Sequence, residues 1–160
     1  MSETIGIRPA LPADAVAIAR LLRRSIRQLC VLDHCNQEQP LTLWLANKKA
    51  PIVRIWLQNG DAEMLVASVN DRIAGVGAFT YLGHVTLNYV DPDFRLRGVS
   101  KKIMATIEER ARVLGLKRLH LESTLTAQRF YESIGYSVSG PRQRKHGLEN
   151  QPMLKNFRSV

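Results

Sequence analysis

The chain has 160 residues, 45% of them hydrophobic, with two cysteines and a formal net charge of +9. This apolar content suits one compact domain over residues 1–160, and no apolar run is long enough to cross a bilayer. The opening Met-Ser-Glu-Thr lacks the basic-then-apolar pattern of a secretory leader, so a soluble cytoplasmic protein without a membrane partner is expected.

The pattern over 5–8 predicts a short strand, and the turn over 9–14 ends in Asp14, a residue type that starts helices. Ala15, Ile18, Ala19, Leu22, Ile26, Leu29 and Cys30 then recur at helical spacing, with Arg20, Arg23, Arg24 and Arg27 between them as an expected solvated face. Cys30 on that stripe reads as a buried free thiol. With Cys35 it makes too few ligands for zinc, and no metal is expected. The segment 33–36 breaks the helix, 41–47 reads as a second one, and Pro51 opens a third that runs to Asn59-Gly60. Strand patterns follow over 63–69 and 73–81, joined by the tight turn Asn70-Asp71, and a third covers 84–90. Gly75 and Gly77 suit close approach by something packed over the sheet. Val99, Ile103, Ile107, Ala111 and Leu114 define the next helix, supported by a Glu108–Arg112 pair and stopped by Gly115. A strand over 118–122, parallel to its predecessor because a helix joins them, leads to a helix over 126–133 and one more strand over 153–157.

The most informative stretch runs over 90–104: a strand stopped by Pro92, a short basic loop with Gly98, and then an amphipathic helix. A strand that passes through such a loop into a helix N-terminus presents several N–H groups without intrahelical partners, backed by the helix dipole. With Arg95, Arg97, Lys101 and Lys102 around one point, the arrangement suits a diphosphate. The loop has neither the lysine-ended phosphate loop of nucleotide hydrolases nor the three-glycine turn of a dinucleotide fold. ATP and NAD are therefore poor fits.

Arg95-x-x-Gly98-x-Ser100 resembles the Arg/Gln-x-x-Gly-x-Gly/Ala signature of the GNAT acetyltransferase superfamily, with serine at the last position. Two flanking segments strengthen the likeness. Leu87-Asn88-Tyr89-Val90-Asp91-Pro92 is similar to the family's strand entry, and Ala127-Gln128-Arg129-Phe130-Tyr131-Glu132-Ser133-Ile134-Gly135-Tyr136 is similar to its later helical segment. The resemblance implies a mixed α/β fold: mostly antiparallel N-terminal strands, then a parallel pair, here 84–90 and 118–122, that splays to admit the pantetheine of acetyl-CoA. It implies an N-acetyltransferase with acetyl-CoA as co-substrate and a small-molecule or peptide amine as acceptor.

By the same resemblance, backbone N–H groups over 97–101 (Arg97, Gly98, Val99, Ser100 and Lys101) would cradle the diphosphate, with Arg95 or Arg97 adding charge. Gly98 would leave the approach open, and the Ser100 hydroxyl could itself reach a phosphate oxygen. Val90 stands where the family's main chain meets the pantetheine, and Thr124 where the family often has an asparagine that bonds it. Tyr131 is the candidate general acid, because a phenol is protonated at neutral pH and can donate to the leaving thiolate. The general base stays open among Glu122, His84 and the pair Asp33-His34. Leu32-Asp33-His34, Trp44 and Asn47-Lys48 would roof the acceptor groove, where Asp33 and Glu38 could attract an ammonium group.

Two other classes stand beside this reading: a catalytically silent CoA-binding module on the same fold, and a nucleic-acid or ribosome-associated protein drawn to RNA by its charge. The cations are spread over several segments without an RNA-binding motif, which disfavours the latter. A homodimer through exposed sheet edges is a further candidate assembly.

Overall fold

The computed structural model describes residues 3–158; the Met-Ser opening lies outside them. Four antiparallel strands, β1 (Gly6–Pro9), β2 (Ala62–Val69), β3 (Arg72–Thr80) and β4 (Val85–Val90), form one sheet in that order. A second sheet runs β5 (Arg118–Ser123), β8 (Leu148–Asn156), β6 (Ser137–Val138), and β7 (Gln143–Lys145) forms a hairpin with β8. The sheets meet through a single parallel bridge, His84 with His120. Beyond it β4 and β5 diverge, as expected of the splayed pair.

Alternation along the strands decides what covers each face. Val66, Val76, Ala78 and Leu87 point to one side, where α1 (Ala15–Leu29) and α4 (Ala50–Leu57) bury Ile18, Leu22 and Val53 against them. Leu65, Ala67 and Phe79 point to the other, against Val99, Ile103 and Ile107 of α5 (Val99–Val113). Ile103 and Ile107 are fully buried, each contributing about 1.5–3 kcal/mol of transfer free energy. The helix lies close because Gly75 and Gly77 face it. A Cβ on Gly75 would come within 2.7 Å of Ile103 and Val99, and one on Gly77 would run into Ile103.

Several local expectations are revised. The first break in the helical region falls at Cys30, after which α2 (Val31–His34) adds one turn before Cys35 and Asn36 take left-handed conformations. The next helix, α3, covers Glu38–Leu45, three residues earlier than its apolar pattern suggested. The last, α6, covers Gln128–Ser133. Leu114 is not on the buried stripe of α5; it caps the helix and is 44% exposed. Glu108 is buried and bonded chiefly to Lys155 of β8 at 2.6 Å, with Arg112 a distant 3.9 Å away. Asp14 precedes α1, yet its carboxylate turns back to Arg8 at 2.7 Å and to the Leu11 N–H. The arginines of α1 are not all solvated: Arg24 pairs with Asp91 at 2.7 Å and Asp93 at 3.2 Å, fastening α1 to the loop before α5.

Candidate active site

Where β4 and β5 part, a cleft of about 420 Å³ opens. Its floor is the open edge of β4. The Asp91 N–H donates to Ala74 of β3, so by antiparallel alternation the main-chain groups of Val90 and Asn88 face away from β3, into the gap. At one end the loop before α5 contributes Arg95, Gly98, Val99, Ser100 and Lys101 to the lining. None of the N–H groups from Leu96 to Lys101 donates to another group among the described residues. Gly98 is the residue before α5, at φ +81°. A Cβ there would meet no protein atom within 4 Å. The left-handed turn favours glycine here, and the space beside it is open.

The two arginines separate. Arg95 lines the cleft, whereas Arg97 bonds Glu3 at 2.9 Å and stands over the Phe94 ring, outside the lining. Ser100 does not hold its hydroxyl out for an anion; it donates to the Asn88 side-chain oxygen at 2.7 Å. The Asn88 amide nitrogen in turn donates to the Tyr131 phenol oxygen at 3.1 Å. Tyr131, on α6, is buried beside the cleft. Burial pushes its pKa up to about 12, with the Asn88 hydrogen bond pulling the other way. Thr124 also lines the cleft, and its hydroxyl accepts the Ala127 N–H at the entrance to α6.

A strand edge, a run of unpaired amides at a helix start and a buried phenol thus face one cleft. The acetyltransferase (GNAT) domain family model matches residues 31–157, most of the chain. The chain belongs to the GNAT acetyltransferase family. An uncharacterized acetyltransferase of Streptococcus pyogenes is 35% identical over 60 residues, 38% of this chain and 42% of that protein. The chain thus matches less than half the length of the curated relatives. The solved GCN5-related N-acetyltransferase from Rhodopseudomonas palustris is 25% identical, with a TM-score of 0.86 and 98% of each chain covered. PaiA N-acetyltransferase from Thermoplasma acidophilum, solved in complex with coenzyme A, shares the fold at 15% identity and a TM-score of 0.82, over 96% of this chain and 99% of that one.

In this GNAT chain the base candidates sort themselves by their partners. Asp33 accepts the Leu125 N–H at 2.6 Å and the Thr126 N–H at 3.3 Å, and also bonds the Thr126 hydroxyl. It pins α2 to the turn before α6. His34 is 1% exposed, its ring nitrogens occupied by the Ile26 carbonyl at 2.8 Å and the Asn36 N–H at 2.9 Å. Both side chains are occupied by these bonds. Glu122 remains, lining the cleft, with His84 Nε2 on its carboxylate at 2.5 Å. His84 stacks on His120 at 4.8 Å. Burial, with His84 nearby, lowers the pKa of His120.

Glu122, Thr124 and Tyr89 also line a second cavity of about 260 Å³ on the far side of β4 and β5. Trp44 and Asn47-Lys48 border it, and the β7–β8 hairpin contributes His146 and Glu149. Sequence reasoning missed two parts of this arrangement: the side-chain role of Asn88, which lies in the recognised strand entry but has no function assigned there, and the β7–β8 hairpin, whose turn is marked only by His146-Gly147 in left-handed conformations. Among the described residues, no cluster of three or more metal-ligating side chains exists and no helix is long and apolar enough to cross a membrane.

Proposed function

We propose that the protein is an N-acetyltransferase that moves an acetyl group from acetyl-CoA to an amine by direct attack in a ternary complex. The observation that carries this reading is that Glu122, Thr124 and Tyr89 border both cavities, with the amide-rich loop lining the first. One cavity fits a long phosphorylated thioester; the other brings an amine to the same point.

The amides over 97–101 and Arg95 would hold the diphosphate, and the gap-facing main chain of Asn88 and Val90 would bind the pantetheine amides and polarise the thioester carbonyl. Glu122, held by His84, takes the proton the amine must lose, and the amine nitrogen forms its bond to the carbonyl carbon as the carbon–sulfur bond breaks. Tyr131 gives its phenolic proton to the departing sulfur and recovers one from solvent. A covalent acyl-cysteine has no support: Cys30 is the cysteine on the cleft, and burial pushes its thiol up to about 12, far from a thiolate.

Calorimetry with CoA, followed by thiol release from acetyl-CoA over a panel of amines, tests the proposal. Binding with amine-dependent thiol release is the expected result. Binding without turnover for every amine would make the protein a silent CoA module, and absence of binding would remove the assignment.

A further inference from the structure

One buried cation in the acceptor region has no anionic partner among the described residues. Lys48, in the link between α3 and α4, is 8% exposed. Its ammonium rests 2.5 Å from the Asn47 side-chain oxygen and 5.9 Å from the centre of the Trp56 ring. Both neighbours are neutral. A buried ammonium held only by an amide and an indole face is poorly compensated for its lost water. Burial pulls its pKa down to about 8. Lys48 lines the cavity that Glu122 borders. It also lines an adjoining cavity of about 480 Å³ beneath Trp56.

None of the carboxylates nearby pairs with Lys48. Asp33 holds the turn before α6, Glu122 holds His84, Glu149 lies 3.7 Å from Arg142, and Glu63, in the adjoining cavity, pairs through Oε1 with Arg110 at 2.9 Å while its buried Oε2 has no hydrogen-bond partner among the described residues. The missing counter-charge is then best supplied by what enters the cavity.

We propose that the acceptor is a small amine that also carries a carboxylate, and that Lys48 receives this carboxylate while the amine faces Glu122. This rests on the acetyltransferase reading above. An incoming carboxylate would restore to Lys48 a charge-assisted hydrogen bond in a site partly shielded from water. A polycationic acceptor would set like charge against it, so the same residue excludes polyamines. A volume of about 260 Å³ lies just below the ~300–1,000 Å³ usual for drug-sized ligands, which suits an amino-acid-sized molecule.

The test compares free L-amino acids and β-alanine with their carboxamides and with putrescine, measuring kcat and KM for thiol release with the wild type, Lys48→Met and Lys48→Arg. The carboxylate-bearing amines should be preferred by about ten- to hundredfold in kcat/KM, chiefly through KM, the size of one charge-assisted bond. Lys48→Met should abolish the preference and Lys48→Arg should retain most of it, both with unchanged CoA affinity as the check on folding. In parallel, calorimetry with N-acetyl-L-amino acids and their amides in the presence of CoA reads the same preference without turnover. Equal use of carboxamides or putrescine, or a preference that survives Lys48→Met, overturns the proposal and leaves the enzyme reading intact. So does preferred use of a peptide N-terminus lacking a nearby carboxylate. Lys48-dependent carboxylate binding without turnover of any amine would uphold the proposal and overturn the enzyme reading. Neither turnover nor carboxylate binding would overturn it as well.

Discussion

The Asn88 side-chain amide donates to the Tyr131 phenol oxygen at 3.1 Å, while the Asn88 oxygen accepts the Ser100 hydroxyl at 2.7 Å. Since the phenol oxygen accepts, its own hydrogen is free to point into the cleft. The donor direction of Tyr131 is therefore set by a residue of β4 that is itself tied to the start of α5. Tyr131→Phe should keep CoA affinity and lower kcat by roughly a hundred- to ten-thousandfold. Asn88→Ala should lower kcat by about tenfold while changing acceptor KM little, because it acts through Tyr131. With the Tyr131 pKa raised to about 12, no alkaline loss of kcat from this group is expected below pH ~10. Stopped-flow turnover and calorimetry check all three, and unaltered turnover of Tyr131→Phe would take the phenol out of the mechanism.

Arg95 and Arg97 should behave differently in spite of their spacing. Arg95→Ala should weaken CoA binding by about ten- to hundredfold, the value of one charge-assisted contact. Arg97→Ala should change it by less than about threefold, since that side chain is committed to Glu3. Equal losses measured by calorimetry would mean that both guanidiniums reach the diphosphate.

The approach of α5 to β3 is set by glycine. Gly77→Ala places a methyl group against Ile103, and the overpacking should cost about 1–3 kcal/mol of stability. Gly60→Ala, where a Cβ meets nothing within 4 Å, is the control and should be near neutral. Denaturant titration of the two variants decides. A neutral Gly77→Ala would show that α5 shifts freely.

Lys48 makes stability depend on pH in a defined window. Its native pKa is about 8 against an ordinary 10.5, so between those values the unfolded chain carries a proton that the native protein has lost. Stability then rises with pH across the window. The gain is bounded at about 3 kcal/mol from this group. Below pH 8 the native state carries the charge in a poor environment and the gain is absent. Lys48→Met should flatten this rise when denaturation midpoints are compared between pH 7.5 and 10, and an identical profile in both proteins would refute the assignment.

Local chemistry determined most of the fold and the outer part of the site. The apolar spacing of α5, the prolines at Pro51 and Pro92 and the glycine at the turn into α5 act over a few residues, so α5, the loop before it and the run of strands are legible without a structure. Tertiary contacts decided the rest. Asp33 meets Leu125 across 92 residues of sequence, Arg24 meets Asp91 across 67, and Asn88 meets Tyr131 across 43. Such pairings engage the Asp33 carboxylate, separate Arg97, bonded to Glu3, from Arg95, and leave Lys48 without a counter-ion among the described residues. The physical reason is one of range. Periodicity and capping depend on neighbours along the chain, whereas a side chain's partner, burial and proton affinity depend on which distant segment the folded sheet brings against it.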